Sequence, residues 1–168
     1  LKLREKISNW IYRVRKNHAL EHATIHVLSQ RYLNIKLVGR SDFWGFTLLG
    51  DVGLEEVASA ATEALARLRR GEHTLAVHPR CGTNLALGAV LAGGLSWVAL
   101  GGKNRSRLEK LPRFILASMG ALLVAQPLGL WAQEHVTTTP DLEGVQIESV
   151  MRQQHGQISS YRVSIRHA

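Results

Sequence analysis

His18, Glu21, His22 and His26 occupy one nine-residue stretch, His18-Ala19-Leu20-Glu21-His22 followed by His26. On a helix the three histidines fall at i, i+4 and i+8, which is one stripe. Two imidazoles at i and i+4 can share a tetrahedral zinc ion. Glu21 sits beside that stripe, where a carboxylate can act as general base on a water activated by the metal. His-x-x-Glu-His is also the inverted zincin order. The plainer reading of the same residues is three histidines on a polar helix face, or histidines satisfied inside a core.

A second group is His78-Pro79-Arg80-Cys81-Gly82-Thr83. His78 and Cys81 stand at i and i+3, a spacing that can close on one ion in a turn. Pro79 fixes φ and Gly82 permits a tight bend. Cys81 would be a thiolate ligand, or a nucleophile if a histidine or a metal lowers its pKa. The alternative is a turn that caps the following helix, with Cys81 as a small apolar filler. His18, His22, His78 and Cys81, with Glu21, match a zinc site in number and type. Four protein ligands would make a closed structural site, and three would leave a position for water. The spacing does not choose between them. Glu134-His135 is a third candidate, as a further ligand, a proton relay or the mark of an interface. His73, His155 and His167 are assigned no role.

The elements that must position these groups follow from periodicity. Residues 2–16 read as a basic amphipathic helix, with Leu3, Ile7, Trp10, Ile11 and Val14 at helical spacing. Its flanking basic residues and Trp10 suit a membrane headgroup boundary, and an ordinary surface helix is the other reading. Asn17 is expected to cap a second helix, His18 to about Arg31. Asn34–Val38 and Gly45–Leu49 read as strands, with a turn at Arg40-Ser41-Asp42. Leu54–Arg70 reads as a helix stopped by Gly71. Thr74–His78 looks like a short strand. Val145–Met151 and Ile158–Ile165 alternate as two strands, joined by a turn at Gln154-His155-Gly156.

Between these lie two runs without Asp, Glu, Lys or Arg, 22 residues from Cys81 to Gly102 and 20 from Phe114 to Gln133. At ~1.5 Å per residue each reaches across a ~30 Å hydrocarbon core. The first holds the small-residue pairs Gly88/Ala92 and Ala89/Gly93, which let helices approach closely. The second holds Pro127 and Gly129, where a kink is expected. A buried hairpin in a soluble protein is the competing reading.

The whole chain has 168 residues, 45% apolar and 20% charged, with one cysteine and a net charge of +8. That is about one domain at ~150 residues per domain, and its composition excludes wholesale disorder. A lone cysteine excludes an internal disulfide framework. The expected fold class is a membrane-associated α+β chain. It has amphipathic and His-bearing N-terminal helices, a small antiparallel sheet with one helix, two transmembrane or re-entrant helices and a C-terminal β-hairpin. Its parts are residues 1–84, the α/β part with the metal site; 85–132, the membrane hairpin; and 133–168, the C-terminal hairpin. The basic residues flank the apolar runs and form no nucleic-acid motif. The expected partners are therefore a lipid bilayer and, through the small residues, a second copy or another membrane protein, with no nucleic acid. The positive-inside rule meets a conflict here. Both the N-terminal part and the loop 102–113 are basic, and two spans place them on opposite sides. The expectation is a bacterial inner membrane with the main part cytoplasmic. The sequence opens on Leu1 rather than Met, which leaves an upstream segment open.

The two motifs, in this order and before an apolar run, resemble a group of bacterial membrane proteins regarded as predicted metal-dependent enzymes. There a His-Gly-Ala-Glu-His-type helix precedes His-Pro-Arg-Cys-Gly-Thr. Asn17–His26, Gly39-Arg40-Ser41-Asp42 and His78–Asn84 more closely resemble a smaller related family. The likeness spans roughly 17–101 and implies roles for His18, Glu21, His22, His78 and Cys81. Ala19 departs from the glycine usual in the larger group, and His26 lies outside the shared motif. The resemblance implies a metal and supplies no reaction. The functional expectation is zinc held by His18, His22 and His78. Cys81 is a fourth ligand or nucleophile, and Glu21 is the catalytic base of a metal-dependent hydrolase at the membrane interface. The alternative is a non-enzymatic assembly or scaffold protein in which the cluster is structural.

Overall fold

A computed structural model describes residues 2–101, 107–155 and 158–168. Their contacts divide the chain into two units, Leu1–His78 with Glu134–Ala168, and Pro79–Gln133.

The first unit opens on one continuous helix, α1 (Lys2–Arg31). The expected division into two helices at an Asn17 cap is corrected. No glycine or proline interrupts residues 2–31, so nothing breaks the hydrogen-bond ladder. Asn17 is instead buried in mid-helix. Its Nδ2 donates to the Asp42 carbonyl at 2.8 Å and the Phe43 carbonyl at 3.2 Å. Its Oδ1 accepts from His167 Nε2 at 2.9 Å. The residue that reads as a cap therefore ties α1 to a hairpin turn and to the C-terminal strand.

That hairpin is β1 (Leu37–Asp42) and β2 (Gly45–Gly50). Arg40, Ser41 and Asp42 belong to β1 rather than to the turn, which is Phe43-Trp44. Asp42 Oδ1 accepts from the Trp44 N–H at 2.8 Å, the Asx bond that closes the turn two residues later than the sequence suggests. Gly45 follows at φ +145°, and a Cβ there would lie 2.0 Å from the Val163 carbonyl oxygen. Only glycine allows that approach.

Helix α2 (Leu54–Arg69) forms as its apolar stripe predicts, burying Val57, Ala61, Leu65 and Leu68. Gly71 ends it at φ +94°. The expected strand Thr74–His78 is a 3₁₀ turn, His73–Ala76. Leu75 and Ala76 are buried there, against α1, and among the described residues the segment has no place in the sheet.

Strands β3 (Val145–His155) and β4 (Ile158–His167) complete the unit. They run longer than expected. Gln154 and His155 fall in β3 rather than in a turn, and Gly156 lies outside the described residues. The C-terminal pair is not a separate hairpin. Among the described residues the sheet has four antiparallel strands in the order β1-β2-β4-β3. Leu20 and Leu28 of α1 and Val57 and Leu68 of α2 pack on Phe46, Leu48, Val145, Tyr161 and Val163 in one core. Arg162 on β4 donates to both Asp42 oxygens, at 2.6 and 2.7 Å, and so locks β4 to the end of β1. That guanidinium holds the Asp42 carboxyl below its usual range.

The second unit is a helical pair, α3 (Gly82–Leu100) and α4 (Arg107–Ala132), followed by a π-helical turn at Gln133–Thr137. Pro127 lies inside α4. The small residues do what their spacing predicts. A Cβ on Gly88 would sit 3.3 Å from the Ala125 Cβ, so the helices meet closely there. Ser96 and Ser118 hydroxyls pair at 3.0 Å. At the other end Asn84 donates to the Pro79 carbonyl at 2.8 Å and accepts from Gln133 Nε2 at 2.7 Å. Its Oδ1 fills the recess at Gly129, where a Cβ would be 2.2 Å away. Residues Gly82–Leu100 and Lys110–Thr137 are long and apolar enough to cross a membrane, with only 11% and 17% of the most apolar window buried. Leu85, Trp97, Leu116 and Leu123 are among the exposed apolar side chains.

A candidate metal centre in the histidine cluster

Unbroken helix from Lys2 to Arg31 puts His18, His22 and His26 on one stripe, as the spacing requires. The 3₁₀ turn and the extended Val77 then bring His78 to the same stripe. The His18 and His22 ring centroids are 4.3 Å apart, His22 and His78 5.8 Å, and His26 and His78 4.9 Å.

Backbone carbonyls set the ring orientations. A carbonyl oxygen only accepts, so the ring nitrogen facing it must carry the proton. His22 Nδ1 donates to the Ala76 carbonyl at 2.8 Å, His18 Nδ1 to Thr137 at 3.0 Å and His26 Nε2 to Val77 at 2.9 Å. In the neutral form each ring then presents its other nitrogen as a lone pair. Outer-shell carbonyls fix metal-ligating histidines in this way.

His22 is the most constrained of them, at 1% exposed. Burial first, and the neighbouring His18 next, push its pKa down to about 3, against the smaller opposing pull of the Ala76 carbonyl. The ring is therefore neutral at pH 7, protonated on Nδ1, with Nε2 as an acceptor. His22 Nε2 is buried and has no hydrogen-bond partner among the described residues. The other such side-chain atom is Thr137 Oγ1. Both residues adjoin His18, one by ring contact and one by its carbonyl. The orphaned, buried lone pair of His22 beside a second imidazole fits a borderline-soft divalent ion, and ring nitrogens of His18 and His22 lie within 4.8 Å of each other.

Glu21 is buried at 4% exposed and faces β1. Its Oε2 accepts from the Ser41 hydroxyl. Gly39 makes the room, since a Cβ there would lie 2.1 Å from Glu21 Oε1. Burial pushes the Glu21 carboxyl above its ordinary pKa, more than the Ser41 bond and the nearby His18 pull it down.

The structure thus gathers His18, His22 and His78 in the first unit and adds His26, which lies outside the shared motif. Cys81 belongs to the second unit, half-buried as the N-cap of α3, its Sγ accepting from the Thr83 N–H at 3.4 Å. The side chains of Glu134 and His135 are exposed. The His135 carbonyl accepts from Arg15 Nη2 at 3.1 Å, and the Thr138 carbonyl from the same atom at 2.8 Å. Arg15 thereby holds the segment whose Thr137 carbonyl orients His18. In the sequence Arg15 is one more basic residue of the 2–16 segment. Gly39 and Ser41 were visible in the Gly39-Arg40-Ser41-Asp42 motif, but not their contact with Glu21.

An uncharacterised protein of the cyanobacterium Picosynechococcus sp. is 39% identical over 143 residues, covering 74% of this chain. The chain spans 65% of that relative's length. No solved structure matches. Residues 13–150, which include every histidine of the cluster, match the DUF6391 domain of unknown function, and the chain belongs to that family.

Proposed function

We propose that the chain is a membrane-anchored metal-binding protein, with zinc the ion its donor set suits best. The observation that carries this is the orphaned His22 Nε2, buried while its Nδ1 is held by the Ala76 carbonyl. His18, His22 and His78, all of the first unit, would hold the ion. The exposed apolar surfaces of α3 and α4 support anchoring in a bilayer. Burying one large apolar side chain returns ~1.5–3 kcal/mol, so such surfaces are costly to leave in water. The proposed setting is a bacterial inner membrane.

A bound zinc ion supplies Lewis acidity, which makes water a nucleophile near neutral pH. In the hydrolase reading Glu21 would take the proton, since burial raises its carboxyl above the ordinary carboxylate range and makes it a stronger base. A second reading, a structural site in an assembly protein, draws on a specific observation: Glu21 is held against Gly39 and Ser41. Such a carboxyl stiffens the packing of α1 on β1.

The test is metal content per chain, on protein purified in mild detergent without chelator or histidine tag from metal-replete medium. About one zinc per chain, lost in His22→Ala, is expected. A folded protein with no metal at any occupancy would overturn the proposal. Glu21→Gln then separates the readings: full metal with loss of hydrolysis marks an enzyme, and full metal with unchanged behaviour a structural site.

A further inference from the structure

Through its first three turns α1 projects from the first unit, and Tyr12, whose hydroxyl donates to Asp141 Oδ2 at 2.5 Å, is where the described residues tie it down. Every position from Lys2 to Tyr12 is exposed. Leu3, Ile7, Trp10 and Ile11 are 72, 51, 53 and 45% exposed, and at ~100° per residue they form one stripe about a third of the circumference wide. Lys2, Lys6 and Arg13 run along one edge of it and Arg4 along the other, while Glu5 falls on the opposite side. The structure also removes two residues from the basic face read in the sequence. Arg15 holds the His135 and Thr138 carbonyls, and Lys16 is buried, donating to the Glu143 carbonyl at 2.7 Å. What remains is a compact apolar stripe with cationic margins.

A second element borders it. The Arg13 guanidinium lies 5.0 Å over the Phe43 ring, which stacks edge-on with Trp44 at 4.7 Å. Trp44 is 68% exposed at the tip of the β1–β2 turn. Tryptophan beside apolar and basic side chains is the composition of a surface seated at the headgroup level of a bilayer.

We propose that residues 2–13 of α1, with Trp44, are a docking surface for an anionic lipid bilayer, lying in the interface rather than crossing it. Charge complementarity selects this occupant, since four cationic side chains border the stripe and the single acidic one, Glu5, is turned away. An eleven-residue exposed segment reaches only ~16 Å, too short to span. The inference is independent of the metal.

The test uses the full chain with Trp10 as its only tryptophan (Trp44, Trp97 and Trp131 to Phe), reconstituted into bilayers carrying a headgroup-proximal brominated lipid. A second chain keeps only Trp97 and reports whether α3 and α4 are in the bilayer at all. In phosphatidylglycerol bilayers Trp10 emission should fall by roughly half, and the loss should shrink in phosphatidylcholine and at high salt. Lys6→Glu with Arg13→Glu should remove most of it. Unquenched Trp10 beside quenched Trp97 would overturn the proposal while leaving bilayer anchoring intact. Equal quenching in neutral and anionic bilayers would overturn the role of the basic margins. Shielding of Trp10 that appears in detergent and grows with protein concentration would assign the face to a second copy, and so overturn it too.

Discussion

His22 and Ala76, fifty-four residues apart, are joined by a 2.8 Å bond from the ring Nδ1 to the backbone carbonyl. That bond fixes the tautomer of a buried imidazole and leaves its Nε2 lone pair without a hydrogen-bond partner among the described residues. A ring in that state is either a metal ligand or a polar group left unsatisfied, and the two differ in their energetic consequences.

If it is a ligand, His22→Ala removes the ion and the packing together. Metal-free, the substitution costs ~2–4 kcal/mol, as for other large-to-small changes in a core. With zinc present the loss is larger, because the ion no longer stabilises the folded state. Thermal unfolding of both proteins, with and without chelator, measures the difference.

Acid should unfold the chelator-treated first unit earlier than carboxylate titration alone would. His22 keeps its proton off down to about pH 3 when folded, whereas an unfolded histidine binds one below about 6.5. Its contribution is therefore intact above pH 6.5 and is lost as pH falls toward 3, by up to about 1.4 kcal/mol per pH unit. His167, pushed down to about 4 by burial and the nearby Arg13 and Lys16, acts in the same direction. Hydrogen exchange of the α1 amides against pH should show this slope, and His22→Gln should flatten it.

Glu21 works the other way. Its folded pKa is raised, so stability is complete below its unfolded value near 4.5 and declines as pH rises through the folded value. Glu21→Gln should leave the protein at least as stable as the parent at pH 7, where burying the ionised carboxylate is costly. A marked loss of stability at pH 7 would contradict this.

Gly39→Ala should destabilise the first unit by ~1–3 kcal/mol, as overpacking does. The new methyl would occupy the Glu21 carboxyl's place. Glu21→Ala in the same chain should recover much of the loss. Additive effects in that double-mutant cycle would show the contact to be unimportant.

In the second unit, Asn84→Ala removes the acceptor of Gln133 and the donor to Pro79. Gln133 is fully buried. The expected cost is ~1–3 kcal/mol, read as a lower unfolding temperature in detergent, because a buried amide donor loses its Asn84 acceptor.

Much of this protein was legible in its sequence because helical periodicity is a local property. The α1 histidine stripe, α2 and the two apolar helices follow from side chains recurring at the spacing of a turn, whatever else the chain does. Turn chemistry is less local. Asp42 reads as part of a turn, yet it ends β1 and pairs with Arg162, 120 residues away. Asn17 reads as a cap because caps and buried polar anchors use the same amide. Only the partners, the Asp42 and Phe43 carbonyls and His167, decide which role it takes. The sequence by itself determined which residue types could bind a metal and that three of them share one helix face. Tertiary structure decided that β4 completes the sheet beside β2, that His78 reaches His22 and His26, and that Glu21 turns to Gly39 and Ser41. It also decided which lone pair His22 presents. The physical reason is that a ring's tautomer and a carboxyl's pKa depend on burial and on carbonyls or hydroxyls from distant segments, and no spacing along the chain encodes those.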